Sequence, residues 1–147
     1  MAIPYTAAHL KACSPKRPMH PSIYLKSLFE IDAALQSIRA GDEPKFSHWV
    51  NLASMVNIMD ALRQRKSITD DGGLITDAVN AMAESRIRAD QGKAIRLDGK
   101  GLQAVNALML DYTTCCEQLS ERTIKSAINY AFERQTQMKS QEKKAKP

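Results

Sequence analysis

The sequence predicts an all-α protein, a bundle of four to five helices with a flexible N-terminal arm and a basic C-terminal tail, and three observations carry that prediction. Apolar side chains recur at steps of three and four through most of residues 22–138, the period of a one-sided helix. Gly, Pro and Asp signals that stop one helix and start the next separate these stretches. Hydrophobic residues make up 44% of the chain but aromatic residues only 5%, and a core of Ala, Leu, Ile and Met suits helix packing better than the aromatic and β-branched faces of a sheet. At 147 residues the chain has the size of one domain, large enough to bury a core without staples.

Residues 1–21 contain Pro4, Pro15, Pro18 and Pro21 with little apolar period, which predicts an extended or disordered arm. From Ser22 to Arg39, Ile23, Leu28, Ile31, Leu35 and Ile38 form one helical face, and Ala40-Gly41-Asp42 ends it. Asp42, Glu43 and Pro44 read as the next start, because an acceptor side chain, an early acid and a proline all suit a first turn with unpaired N–H groups. The second helix is expected from about Pro44 to Lys66, with Phe46, Trp49, Leu52, Ala53, Val56, Met59 and Leu62 as its apolar side, and with Arg63, Arg65 and Lys66 in its last turn. Thr69-Asp70-Asp71-Gly72-Gly73 is a polar turn whose acids can cap a third helix, about Leu74 to Gln91, burying Leu74, Ala78, Ala81 or Met82, and Ile87. Gly92 is placed to close that helix in the left-handed conformation.

Asp98-Gly99-Lys100-Gly101 opens a fourth helix, from about Lys100 to Glu117, with Leu102, Val105, Leu108 or Met109, and Tyr112 on one side. Ser120 is a candidate cap for a fifth, from Glu121 to about Met138, in which Leu119 and Ile124 have the spacing of a hydrophobic staple. Ile124, Ala127, Ile128, Ala131 and Phe132 are its expected buried face. The domain plan is therefore an arm over 1–21, a helical bundle over 22–138, and a disordered basic tail over 139–147. Short connections imply antiparallel packing of sequential neighbours.

The net charge of +5 is concentrated at the two ends. Residues 1–29 carry Lys11, Lys16, Arg17 and Lys26 with no acid, and residues 139–147 carry four Lys against Glu142, so residues 30–138 hold 13 basic and 15 acidic side chains. Such a body lacks the broad positive field behind most non-specific nucleic-acid affinity, whereas basic tails supply a weak, salt-sensitive version. Three cysteines, Cys13, Cys115 and Cys116, have no disulfide spacing, and no stretch reads as a signal peptide or a membrane span, so a cytoplasmic protein is expected.

No catalytic constellation is legible. His9, Cys13 and His20 share one short stretch but lack the paired spacing of a zinc site, and no metal or other cofactor is expected. Cys115 and Cys116 lie within the fourth helix, where one of two neighbours must face the core as a small hydrophobe. His48 has no nucleophile or carboxylate set by spacing to serve, and neither Gly72-Gly73 nor Gly99-Lys100-Gly101 is a phosphate loop. Asn57, inside apolar surroundings, is a candidate for fixing register between helices.

Leu119-Ser120-Glu121-Arg122-Thr123-Ile124 resembles the turn and recognition-helix start of bacterial helix-turn-helix regulators, which would aim Arg122, Lys125 and Arg134 at nucleic acid. Gln118 stands where Gly is usual in that turn and Thr114 where a smaller residue is expected. The residues around Trp49, Asn57, Asp71-Gly72-Gly73-Leu74 and Arg96-Leu97-Asp98-Gly99 resemble those of small uncharacterised helical proteins carried by prophages and plasmids of proteobacteria, over roughly 45–135. That resemblance implies an accessory role in a mobile element or its host and brings no catalytic residue. The expectation is a non-catalytic adaptor or regulatory protein that binds another protein, with His48, Trp49, Met55 and Met59 as the candidate partner surface and DNA-binding regulation as the alternative. A homodimer follows if a helix carries apolar residues on two sides, which the second helix nearly does.

Overall fold

The computed structural model describes residues 20–41 and 44–145, and of Ser22 and Ile23 the backbone alone. Among these residues the chain forms five helices and no strand: α1 Pro21–Ala40, α2 Phe46–Gln64, α3 Leu74–Asp90, α4 Gly99–Gln118 and α5 Glu121–Ala145. Residues 1–19 of the expected arm, and Asp42 and Glu43 of the expected helix start, lie outside the described residues.

Each helix begins and ends for a local reason. Gly41 takes φ 71° and donates its N–H to the Ser37 carbonyl at 3.2 Å, closing α1. At the start of α2, two residues later than expected, the His48 imidazole takes the role of a cap by accepting the Lys45 N–H on Nδ1 at 2.9 Å. The helix stops at Gln64, so Arg65 and Lys66 fall beyond its last turn, with Lys66 at φ 61° in the left-handed region. Asp98 caps α4 by accepting the Gly101 N–H, Ser120 caps α5 by accepting that of Thr123 at 3.1 Å, and Gly92 closes α3 at φ 77°.

Asp70 does most to start α3. It accepts the Ile75 N–H at 2.8 Å on one oxygen, and on the other the N–H and hydroxyl of Thr76 at 3.2 and 2.9 Å. Desolvation pushes its carboxyl up, but these hydrogen bonds, with a smaller contribution from Arg63, outweigh that and hold it below the ordinary carboxylate value. A lowered folded-state pKa contributes stability that is present above the unfolded value and is lost as pH falls through the folded one. Asp70→Ala is therefore expected to lower the unfolding free energy by about 1 kcal/mol at neutral pH, with the difference from wild type shrinking below about pH 4. Urea denaturation at several pH values checks this, and a difference constant from pH 7 to pH 3 would contradict the charge assignment.

The core is aliphatic and runs around α2, which packs against all four other helices. Leu52, Ala53, Met55, Val56, Met59, Ala61 and Leu62 of α2 are all buried. This is why its apolar residues spread over more than one side: the second side is covered by the chain's own helices. The inner face of α1 supplies Tyr24, Ile31, Ala34, Leu35 and Ile38, and α4 supplies Ala104, Val105, Leu108, Tyr112 and Cys116. On α3 the buried face is Ile75, Ala78, Met82 and Ser85: Ala78 and Met82 are buried as expected, but Leu74 is only half-buried and Ile87 is 57% exposed, and Ile75 and Ser85 are buried instead. α3 packs against both α2 and α4, and the 75-78-82-85 stripe is what it buries there.

Polar contacts set the register. The Trp49 indole donates to the Met82 carbonyl at 3.2 Å, pairing α2 with α3, and the Tyr130 hydroxyl donates to Gln64 Oε1 at 2.9 Å, pairing α5 with α2. Asn57, the residue expected to do this, is half-buried and lies at the edge of the α2–α5 seam. Sequential neighbours pack together from α1 to α4, but α5 packs chiefly along α2. Leu119, extended at φ −79° and ψ 152°, and Ser120 alone connect α4 to α5, and Ile124 and Ala127 are buried just beyond. From Phe132 onward α5 is exposed at every position, Phe132 included, yet it stays helical past Met138 to Ala145. The expected disordered tail is thus helical through Ala145, in keeping with the high helix propensity of its Lys, Gln and Glu residues and the basic last turn.

Candidate functional site

The first two turns of α2 present aromatic surface to solvent. Phe46, expected in the buried stripe, is instead 47% exposed, because it opens the helix at the margin of the bundle. Its ring stacks on Trp49 three positions later, with centroids 5.5 Å apart and planes 9° from parallel. The Trp49 indole N–H is held by the α3 backbone, so the pair is anchored from below. Arg86 of α3 lies over both rings, 4.9 Å from the Phe46 centroid and 5.5 Å from that of Trp49, and its Nε donates to Asp90 at 3.1 Å. Val50, one turn beyond Phe46 on the same face, is also exposed. Few rotamers remain open to these side chains, so a partner docking here would meet surface that is already ordered.

Of the candidate partner residues read from the sequence, Trp49 belongs to this cluster and His48 sits beside it, half-buried, with its imidazole occupied by the Lys45 N–H. Met55 and Met59 do not belong to it. They are 0% and 1% exposed, part of the central core, and can touch no partner. The error is one of rotation: Met55 and Met59 face neighbouring helices, while Phe46 and Val50 fill the solvent side. Arg86 and Val50 were missed because neither stands out on its own helix; only the crossing of α3 over α2 brings the guanidinium to the rings.

The candidate nucleic-acid residues are not gathered on one face. Lys125 and Arg134 are nine positions apart on a helix of about 3.6 residues per turn, which sets them on opposite sides of α5. Lys125 pairs with Glu121 at 2.6 Å, and Arg134 lies 3.8 Å from Asp60 of α2. Arg122 is exposed at the start of the helix. A two-residue connection also replaces the three- or four-residue turn of a helix-turn-helix.

Burial pushes the Cys116 thiol up to about 11, although a hydrogen bond with Tyr112 acts in the opposite direction. Cys115, half-buried, is raised by burial and by the charge of Asp111. Both are therefore protonated thiols at neutral pH, without the thiolate character of an activated nucleophile. Among the described residues no three His, Cys, Asp or Glu side chains converge as metal ligands, and no helix is long and apolar enough to cross a membrane; His9 and Cys13 lie outside them. No family model matches the chain, and no curated protein or solved structure is detectably similar to it.

Proposed function

We propose that this chain is a non-catalytic helical adaptor or regulatory module that binds another protein through the Phe46, Trp49, Val50 and Arg86 surface. The observation that carries the reading is the ordered stack of two aromatic rings and a guanidinium at the margin of the bundle. Trp and Arg are the residue types that dominate binding energy at protein interfaces, and a preformed anchor reduces the ordering cost of association. The accessory role in a mobile element implied by the sequence resemblance is of the same kind, since such a role needs recognition without chemistry.

Site-specific photocrosslinking in the native host tests it. A crosslinkable residue at Val50 is expected to trap one dominant protein, and the same probe at Leu110, exposed on α4, a helix that supplies no residue of the cluster, is expected not to. Phe46→Ser combined with Arg86→Glu should abolish the Val50 adduct while leaving helicity by circular dichroism unchanged. Equal trapping at both positions, or an adduct that survives the double variant, would remove this surface as the interface.

A further inference from the structure

We propose that His48 is a proton-operated latch on the first turn of α2, and that protonating its imidazole loosens the stack of Phe46 on Trp49. The turn is closed by a reciprocal pair: the Lys45 N–H donates to His48 Nδ1 at 2.9 Å, and the His48 N–H donates to the Lys45 carbonyl at 3.0 Å. Lysine at the N-cap position offers no acceptor on its own side chain. Among the described residues the imidazole is therefore the side chain that closes this end of the helix. A ring that accepts on Nδ1 is neutral and carries its proton on Nε2, whereas imidazolium has two donors and no acceptor. Protonation thus removes the hydrogen bond outright and sets two N–H groups against each other.

No acid is placed to offset that charge. On its own element Lys45 precedes the ring, and α3 brings Arg86, whose Nε already donates to Asp90. Among the described residues no carboxylate of α1, α3, α4 or α5 lies within ion-pair distance of the imidazole. The proton would also sit in the first turn of α2, at the positive end of the helix dipole. The cap is therefore present while the ring is neutral, and it is lost as pH falls through the range of about 5 to 8 in which histidine ordinarily titrates. The turn it holds begins with Phe46, whose exposed ring stacks on Trp49. The Trp49 indole is fixed separately by the Met82 carbonyl, so the Phe46 ring is the part that comes free. The bearing of this latch on partner binding rests on the reading of that cluster as an interface; the latch itself does not.

Nuclear magnetic resonance of the full chain between pH 8 and pH 5 tests the latch. The Lys45 amide, the Phe46 ring and the His48 ring are expected to titrate with one common midpoint, while the amides of Leu52 and Val56, deeper in α2, do not follow it. Across that midpoint the cross-relaxation between the Phe46 and Trp49 rings should weaken. Protection of the Lys45 amide from hydrogen exchange, corrected for the intrinsic effect of pH, should fall about fivefold. His48→Gln places an acceptor where glutamine closes a capping box and has no proton to take up, so it should hold the high-pH state throughout. His48→Ala should show the loosened turn at every pH, with the rest of the bundle unchanged by circular dichroism. A His48 ring that titrates without moving Phe46, or a pH response of Phe46 that survives in His48→Gln, would overturn the proposal. None of these signals involves a partner, so failure here is distinct from failure of the crosslinking experiment.

Discussion

Leu52→Ala is expected to lower the unfolding free energy by about 3 kcal/mol. Leu52 is 0% exposed and lies in the middle of α2, the helix that packs against every other helix. Removing its isobutyl group loses the transfer free energy of the buried atoms and leaves a cavity that four surrounding helices cannot close without giving up contacts of their own. Leu110→Ala removes the same atoms from a side chain 61% exposed on α4 and is expected to change stability by less than about 0.5 kcal/mol. Urea denaturation of both variants checks the contrast: the Leu52→Ala midpoint should fall with an unchanged slope. Comparable losses in the two variants would mean that α2 is not the centre of the bundle.

Gly101→Val is expected to cost about 2 kcal/mol or more, through overpacking at the closest approach of α3 and α4. A Cβ at this position would lie 2.8 Å from the Ala81 Cβ and 2.9 Å from Asp98 Oδ1. The first contact is with a side chain that has no freedom to move aside, and the second is with the carboxylate that caps α4. A larger residue therefore forces the helices apart and disturbs the cap at once. Gly101→Ala is the finer probe, because alanine favours the helix by up to about 1 kcal/mol while its methyl meets Ala81. Placed in an Ala81→Gly background, the same substitution should become more favourable, with a coupling of about 0.5–3 kcal/mol in a double-mutant cycle. Strict additivity would show that the two helices do not meet at this pair.

The rules that stop and start helices are legible in the sequence because they act within a few residues. Asp98, Ser120, Gly41 and Gly92 each do the local task that their chemistry suits, and the polar turn at 69–73 supplies its cap through Asp70. The misreadings share a different cause. Phe46, Ile87 and Phe132 fit an apolar period but are exposed, and Met55 and Met59, expected on a partner surface, lie in the core. Periodicity shows that a helix has an apolar side; it does not fix which few degrees of that side meet a neighbour, nor how far along the helix the neighbour extends. The candidate sites are less legible still. Trp49 stands out in the sequence, but Arg86 lies 37 positions away in the chain.

The order of residues alone determined that this chain is helical, roughly where each helix begins and ends, and that its basic charge lies at its ends, because capping, propensity and charge composition act over short range. The packing of the helices decided which apolar side chains form the core, that α5 lies along α2, and that a guanidinium covers two aromatic rings beside an uncovered valine. Those outcomes depend on contacts between residues distant in the chain, where several orientations satisfy the same apolar period and only the fit of neighbouring surfaces selects among them.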